Sequence, residues 1–150
     1  MEKSTKMGTQ SWKLTQVGVV VRDVEKTIER LTTLGIGPFQ QMVLPPEREE
    51  WFRDKRMYAD FKIYGAMIGD IQIELIQPLS GDSPHKEFLD SKGEGIQHVM
   101  FAVDDLDKEV TRLTKKGATE LLKAKFPGGH GVVYLDLNVG GIIVELIQKR

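Results

Sequence analysis

Gln16–Gly35, QVGVVVRDVEKTIERLTTLG, decides the fold, because the chain repeats its pattern at His98–Gly117, HVMFAVDDLDKEVTRLTKKG. Set over one another at a constant offset of 82, the two stretches share Val, Val, Asp, Lys, Arg, Leu, Thr and Gly, eight of twenty positions. A second pair follows in the same order. Gly69–Gln77, GDIQIELIQ, matches Gly140–Gln148, GGIIVELIQ, at six of nine positions and an offset of 71. Ordered recurrence of two separate segments is the mark of duplication, and the offsets differ by eleven, so the extra residues fall between the matched segments of the first half.

Working outward, each half has the same grammar. Val17–Val21 and Val99–Val103 are rich in β-formers and long enough for one strand each. Asp23 and Asp105 (or Asp104) then stand where a helix N-cap belongs. Apolar residues recur at helical spacing behind them: Val24, Ile28, Leu31 and Leu34 in the first half, Leu106, Val110 and Leu113 in the second. Gly35 and Gly117 stand where the helices must end. Further strands are expected at about 39–44, 60–67 and 71–77, and at about 119–122, 132–137 and 142–148. Ser83–Ser91, SPHKEFLDS, reads as a short helix between the halves. The expectation is an α+β fold of tandem βαβββ modules. One domain over 1–150 is expected, with halves at approximately 14–80 and 95–150.

Composition narrows the function. With 40% hydrophobic and 29% charged residues, a chain of 150 residues has the profile of a globular protein with a real core. A net charge of −1 without a basic run argues against a general nucleic-acid binder. The absence of cysteine excludes thiolate zinc sites and cysteine nucleophiles. The opening MEKSTKMGTQSW has no apolar core, so it does not read as a signal peptide, and no apolar run approaches membrane-spanning length. A cytoplasmic protein acting on a small molecule is expected.

The repeat turns single residues into a constellation. Gln16 and His98 open equivalent first strands; Glu74 and Glu145 sit in the middle of equivalent last strands, IELIQ and VELIQ. A carboxylate embedded in an apolar strand is costly to bury unless it is paired or bound to a cation. Two such strands call for one explanation, a divalent metal held by two carboxylates, one imidazole and one amide oxygen. That donor set suits Co, Mn, Ni or Zn with positions left for substrate oxygens.

The tandem halves and paired ELIQ strands resemble the vicinal oxygen chelate superfamily of glyoxalases, methylmalonyl-CoA epimerases, extradiol dioxygenases and bleomycin-resistance proteins. The stretch Gly69–Leu113, GDIQIELIQPLSGDSPHKEFLDSKGEGIQHVMFAVDDLDKEVTRL, is similar to the corresponding part of methylmalonyl-CoA epimerases. The resemblance implies that the halves form a curved mixed sheet around a metal-binding cleft, with one metal ligand from the first and last strand of each half, which maps onto Gln16, Glu74, His98 and Glu145. Two features depart from the epimerase pattern. Epimerases usually carry His at the position of Gln16, and HPKSTGG where this chain has LDLNVGG at Leu135–Gly141.

The implied activity is that of an epimerase or isomerase, moving the proton beside a carbonyl of an acyl-CoA-like substrate, with Glu145 as catalytic base. A glyoxalase-type lyase and a metal-free ligand-sequestering protein are the alternatives, and a homodimer is expected. Two segments stand outside the repeat. Pro45–Tyr58, PPEREEWFRDKRMY, reads either as a cationic lid or as a solvated connector whose aromatics pack on the sheet. Phe126–Gly131, FPGGHG, lacks the ending of a phosphate loop, and its His130 reads as a surface residue or a proton carrier.

Overall fold

A computed structural model describes residues 8–150. Residues 1–7, the start of the stretch read as lacking a leader, lie outside the described residues. After a 3-10 turn at Gly8–Ser11, β1 (Lys13–Val20) leads into α1 (Val24–Thr33) and β2 (Gln40–Met42). A hairpin of β3 (Glu49–Phe52) and β4 (Lys55–Met57) precedes β5 (Asp60–Ile68) and β6 (Ile71–Ser80). The linker helix α2 (Pro84–Lys92) brings in the second half: β7 (Gly95–Val103), α3 (Leu106–Lys115), β8 (Thr119–Lys125), β9 (Gly131–Asp136) and β10 (Ile143–Gln148).

The helices start where their capping residues require. Asp23, Ser83 and Asp105 are extended, and each side chain accepts from the backbone N–H three residues on, satisfying a donor the helix cannot. Gly35 and Gly117 follow the helices of the two halves at φ of 82° and 111°, conformations that cost a residue with a Cβ. Leu34 departs from the expected apolar stripe: it is the C-cap of α1 and is exposed.

All ten strands form one mixed, curved sheet, a half-barrel in the order β2-β5-β6-β1-β7-β10-β9-β8-β3-β4. Within each half the first strand runs parallel to the last, β1 with β6 and β7 with β10. The halves meet where β1 and β7 pair antiparallel. Strand alternation then divides the side chains. On one side of the sheet Leu75 clusters with Val21 and with Val24, the first residue of α1, and Val103, Leu135 and Leu146 pack with the apolar residues of α3. The opposite face gathers Met57, Leu122, Ala124, Val132 and Tyr134, and it carries the polar cluster described below.

The expected βαβββ grammar holds for both halves, with one addition. Residues 49–57, read as lid or connector, form a hairpin that leaves the first half and pairs through β3 with β8, on the outer edge of the second. Arg48 anchors its base, donating to the Pro45 and Ala59 carbonyls at 3.1 and 3.0 Å and to Glu50 at 2.8 Å. Strand β2 is shorter than expected, a stub between Pro38 and Pro45, residues that cannot donate to a ladder.

Candidate metal centre

Gln16 and His98 lie within β1 and β7 rather than opening them, because both strands begin earlier than their apolar runs. Register places the four candidates in two transverse rows. One row runs Gly65, Glu74, Gly18, His98 across β5, β6, β1 and β7. The other runs Tyr134, Glu145, Met100, Gln16 across β9, β10, β7 and β1. The duplication relates the rows: each has a glutamate on a last strand and a polar candidate, His98 or Gln16, on a first strand.

The structure brings all four together, and all are buried. His98 Nε2 lies 2.9 Å from Glu145 Oε1, 3.5 Å from Glu74 Oε1 and 3.2 Å from Gln16 Oε1. Ligand atoms of Glu74, His98 and Glu145 fall within 4.8 Å of one another, a spacing from which a cation can be held. Gly18 makes the geometry possible: a Cβ there would sit 2.0 Å from His98 Cε1, far closer than two unbonded carbons can come.

Neighbouring amides aim the donors. Gln16 Nε2 donates to Gln72 Oε1 at 2.7 Å, which turns the Gln16 oxygen toward His98. The side-chain Oε1 of Gln97 lies 2.7 Å from His98 Nδ1 and can only accept, so Nδ1 carries a proton and Nε2 faces the carboxylates. Without a cation the cluster is electrostatically awkward. Burial and the charge of Glu145 push Glu74 up to about 7. Burial opposes a charged His98, yet the hydrogen bond and charge of Glu145, with the charge of Glu74, hold its pKa above the ordinary value. A divalent cation between the carboxylates would offset the charge that the cluster otherwise buries. Three oxygens and one nitrogen converging on one point fit such an ion.

The cluster opens onto a cavity of about 70 Å³ with largely apolar walls. Three further polar residues line it. Glu50 reaches it from the hairpin and is held by Arg48; burial raises its pKa, and Arg48 only partly offsets that. His85, from the first turn of α2, and Tyr134, from β9, are buried and lie 3.0 Å apart, Nε2 to hydroxyl. Glu50 was hidden in a charged run that reads as solvated, and His85 in a helix start that reads as surface. The hairpin cations do not reach the cavity: Arg53, Lys55 and Arg56 line a separate groove of about 800 Å³ against α2, where Arg53 pairs with Glu87. His130 is exposed and also stands apart from the cavity.

Comparison with known proteins follows the same lines. Residues 15–134 match the family model of the Glyoxalase/Bleomycin resistance protein/Dioxygenase superfamily. The mitochondrial methylmalonyl-CoA epimerase of Mus musculus is 31% identical over 144 residues, covering 91% of this chain and 75% of the mouse protein. The fold is shared with hypothetical protein BH1468 from Bacillus halodurans C-125, at TM-score 0.71 and 23% identity over 94% of this chain and 96% of that one. It is also shared with a Streptomyces coelicolor methylmalonyl-CoA epimerase in complex with 2-nitronate-propionyl-CoA, at TM-score 0.64 and 21% identity over 91% and 96%. Duplicated halves, the half-barrel and a family match over most of the chain agree: this protein belongs to the glyoxalase, bleomycin resistance protein and dioxygenase superfamily.

Proposed function

We propose that this chain is a metal-dependent epimerase or isomerase that removes and returns the proton beside the carbonyl of an acyl-CoA-like substrate. Gln16, Glu74, His98 and Glu145 would hold the ion, Co, Mn, Ni or Zn. The observation that carries the reading is that two carboxylates, Glu145 and Glu50, meet at one small cavity from strands three apart in the sheet order. When bound, the ion supplies Lewis acidity for the carbonyl oxygen and so acidifies the neighbouring C–H. Glu145 takes the proton. Glu50, whose acid form burial favours, returns one from its own side of the cavity, and this second position is what inversion at carbon requires. Apolar walls keep water from competing for the proton. The mouse epimerase relative and the Streptomyces complex support the substrate class.

Exchange of substrate α-hydrogen with deuterated solvent, followed by NMR over a panel of acyl-CoA and 2-oxo compounds, tests the proposal on metal-loaded protein. Glu145→Gln keeps an oxygen ligand of the same shape but loses the base, so exchange should fall by roughly 10²–10⁴-fold while metal still binds at saturation. Glu50→Gln should leave exchange on one stereoisomer and abolish interconversion. Exchange undiminished in Glu145→Gln refutes that residue as base. No exchange with any compound refutes the epimerase reading in favour of a ligand-sequestering protein.

A further inference from the structure

Charge is distributed unevenly around the cavity. Three of the side chains that line it are acids, Glu50, Glu74 and Glu145, and among the described residues no lysine or arginine reaches it. Arg48 stands behind Glu50 and is fully committed, to that carboxylate and to the Pro45 and Ala59 carbonyls. The hairpin cations Arg53, Lys55 and Arg56, with Lys86 of α2, line the separate groove instead. The one basic side chain on the cavity wall is His85, which is buried against the rings of Phe61 and Tyr134 with its Nε2 3.0 Å from the Tyr134 hydroxyl. Apolar side chains complete the wall, Ile63, Leu122 and Val132 among them.

This distribution limits the charge an occupant can carry. A carboxyl group is negative or neutral and never positive, so no protonation state of the three acids supplies a charge to hold an anion. A divalent ion bound as proposed has its two charges matched by the Glu74 and Glu145 carboxylates. An occupant with a carboxylate of its own would bring an unmatched negative charge into a largely apolar enclosure beside Glu50, with no cation free to receive it. An apolar branch gains from burial against the same walls.

We infer that the acyl group taken by this cavity is uncharged, with short apolar branches on its α-carbon, and that acyl groups bearing a second carboxylate are rejected. The inference rests on the reading of this cavity as the substrate site. It narrows the acyl-CoA class to branched monocarboxylic acyl groups, and a cavity of about 70 Å³ keeps those branches short.

Two thioesters that differ in charge and little in shape test it: methylmalonyl-CoA, and 2,3-dimethylbutyryl-CoA, in which an isopropyl group replaces the carboxylate. Binding is measured by calorimetry at about pH 8, on chelator-treated protein and on protein saturated with Zn. In both states the neutral thioester should bind more tightly, by roughly 10-fold or more, the size of one unmatched charge held close to another. Glu74→Gln at saturating Zn leaves the ion a net positive charge, so there the discrimination should shrink or reverse. Equal binding of the two, tighter binding of methylmalonyl-CoA in either state of the wild type, binding of neither, or discrimination unchanged in Glu74→Gln overturns the inference. The wild-type ratio is measured on the unmodified chain, so it decides the matter even where the variant folds poorly. Exchange of α-hydrogen is read separately. Preference for the neutral thioester without exchange of either compound refutes the epimerase reading and leaves this inference standing. Exchange with methylmalonyl-CoA the tighter ligand does the opposite.

Discussion

Gly18 is the residue on which the geometry of the cluster most depends, although it contributes no ligand atom. It lies in register between Glu74 and His98, and the His98 ring occupies the space where its side chain would be. Gly18→Ala must therefore displace the imidazole or part β1 from β7. A shift of 1 Å in a ligand is enough to spoil a coordination geometry that tolerates about 0.2 Å. The expected outcome is a chain with wild-type far-ultraviolet circular dichroism that loses at least 10-fold in affinity for Zn or Co, read by competition with a chromophoric chelator. Met100→Ala is the control, since Met100 holds the equivalent place beside Gln16 and Glu145 without such an approach. Metal affinity unchanged in Gly18→Ala would show that the ring is free to move.

At the scale of elements, the hairpin of β3 and β4 converts an open edge of the second half into a wall that delivers Glu50. Its attachment runs through Arg48, which bonds two carbonyls and one carboxylate and is only 16% exposed in its side chain. Arg48→Met leaves the Glu50 carboxylate buried with its main countercharge gone, a change that typically costs about 3–5 kcal/mol. Urea denaturation should show a loss of that order, and the double variant Arg48→Met/Glu50→Gln should recover part of it. Equal losses in the single and double variants would place the cost in the two carbonyl contacts instead. The loop after β9 is also locally secured. Asn138 adopts φ of 58° and donates from Nδ2 to the Gly117 carbonyl and to Thr119 at 2.8 and 2.9 Å. That is how LDLNVGG makes its turn without the family's usual residues.

For the whole molecule, the buried acids tie stability to pH and, on the proposed function, to metal. Glu74 has its pKa raised from 4.5 to about 7, by burial first and then by Glu145, and Glu50 is raised by burial. The folded chain keeps protons that the unfolded chain releases above 4.5, so the stability these groups lend is present below that pH and falls as pH rises toward 7. His98, raised above 6.5 in spite of its burial, acts in the same direction: its contribution is lost as pH rises through its folded pKa. Chelator-treated protein should therefore lose melting temperature between pH 5 and 8. Metal-loaded protein should not, because metal replaces those protons and binds better as they leave. Parallel melting curves with and without metal across that range would contradict the account. The sheet also leaves β2 and β4 as free edges, and several large apolar side chains are exposed, Ile96, Val43 and Met67 among them. Sedimentation at micromolar concentration is expected to show twice the 16.9 kDa chain mass, and a clean monomer would count against pairing. Among the described residues no helix is long and apolar enough to cross a membrane.

The sequence alone carried the duplication, and with it the βαβββ grammar of each half and the four polar positions that converge. Repeated spacing is a property of the chain, and strand alternation converts spacing into a shared face. The caps Asp23 and Asp105 were legible for the same reason, since a cap acts on residues three positions away. Contacts between distant segments were not legible. Glu50 becomes a cavity residue only because its hairpin crosses to β8, and His85 only because α2 lays its first turn against Tyr134. Local pattern says whether a side chain faces a sheet or a helix surface; what stands opposite is settled by which edges remain to be paired and which voids remain to be filled. Tertiary packing decided that the charged run at 47–56 would hide one acid, and that a histidine at a helix start would be enclosed in the wall of the site.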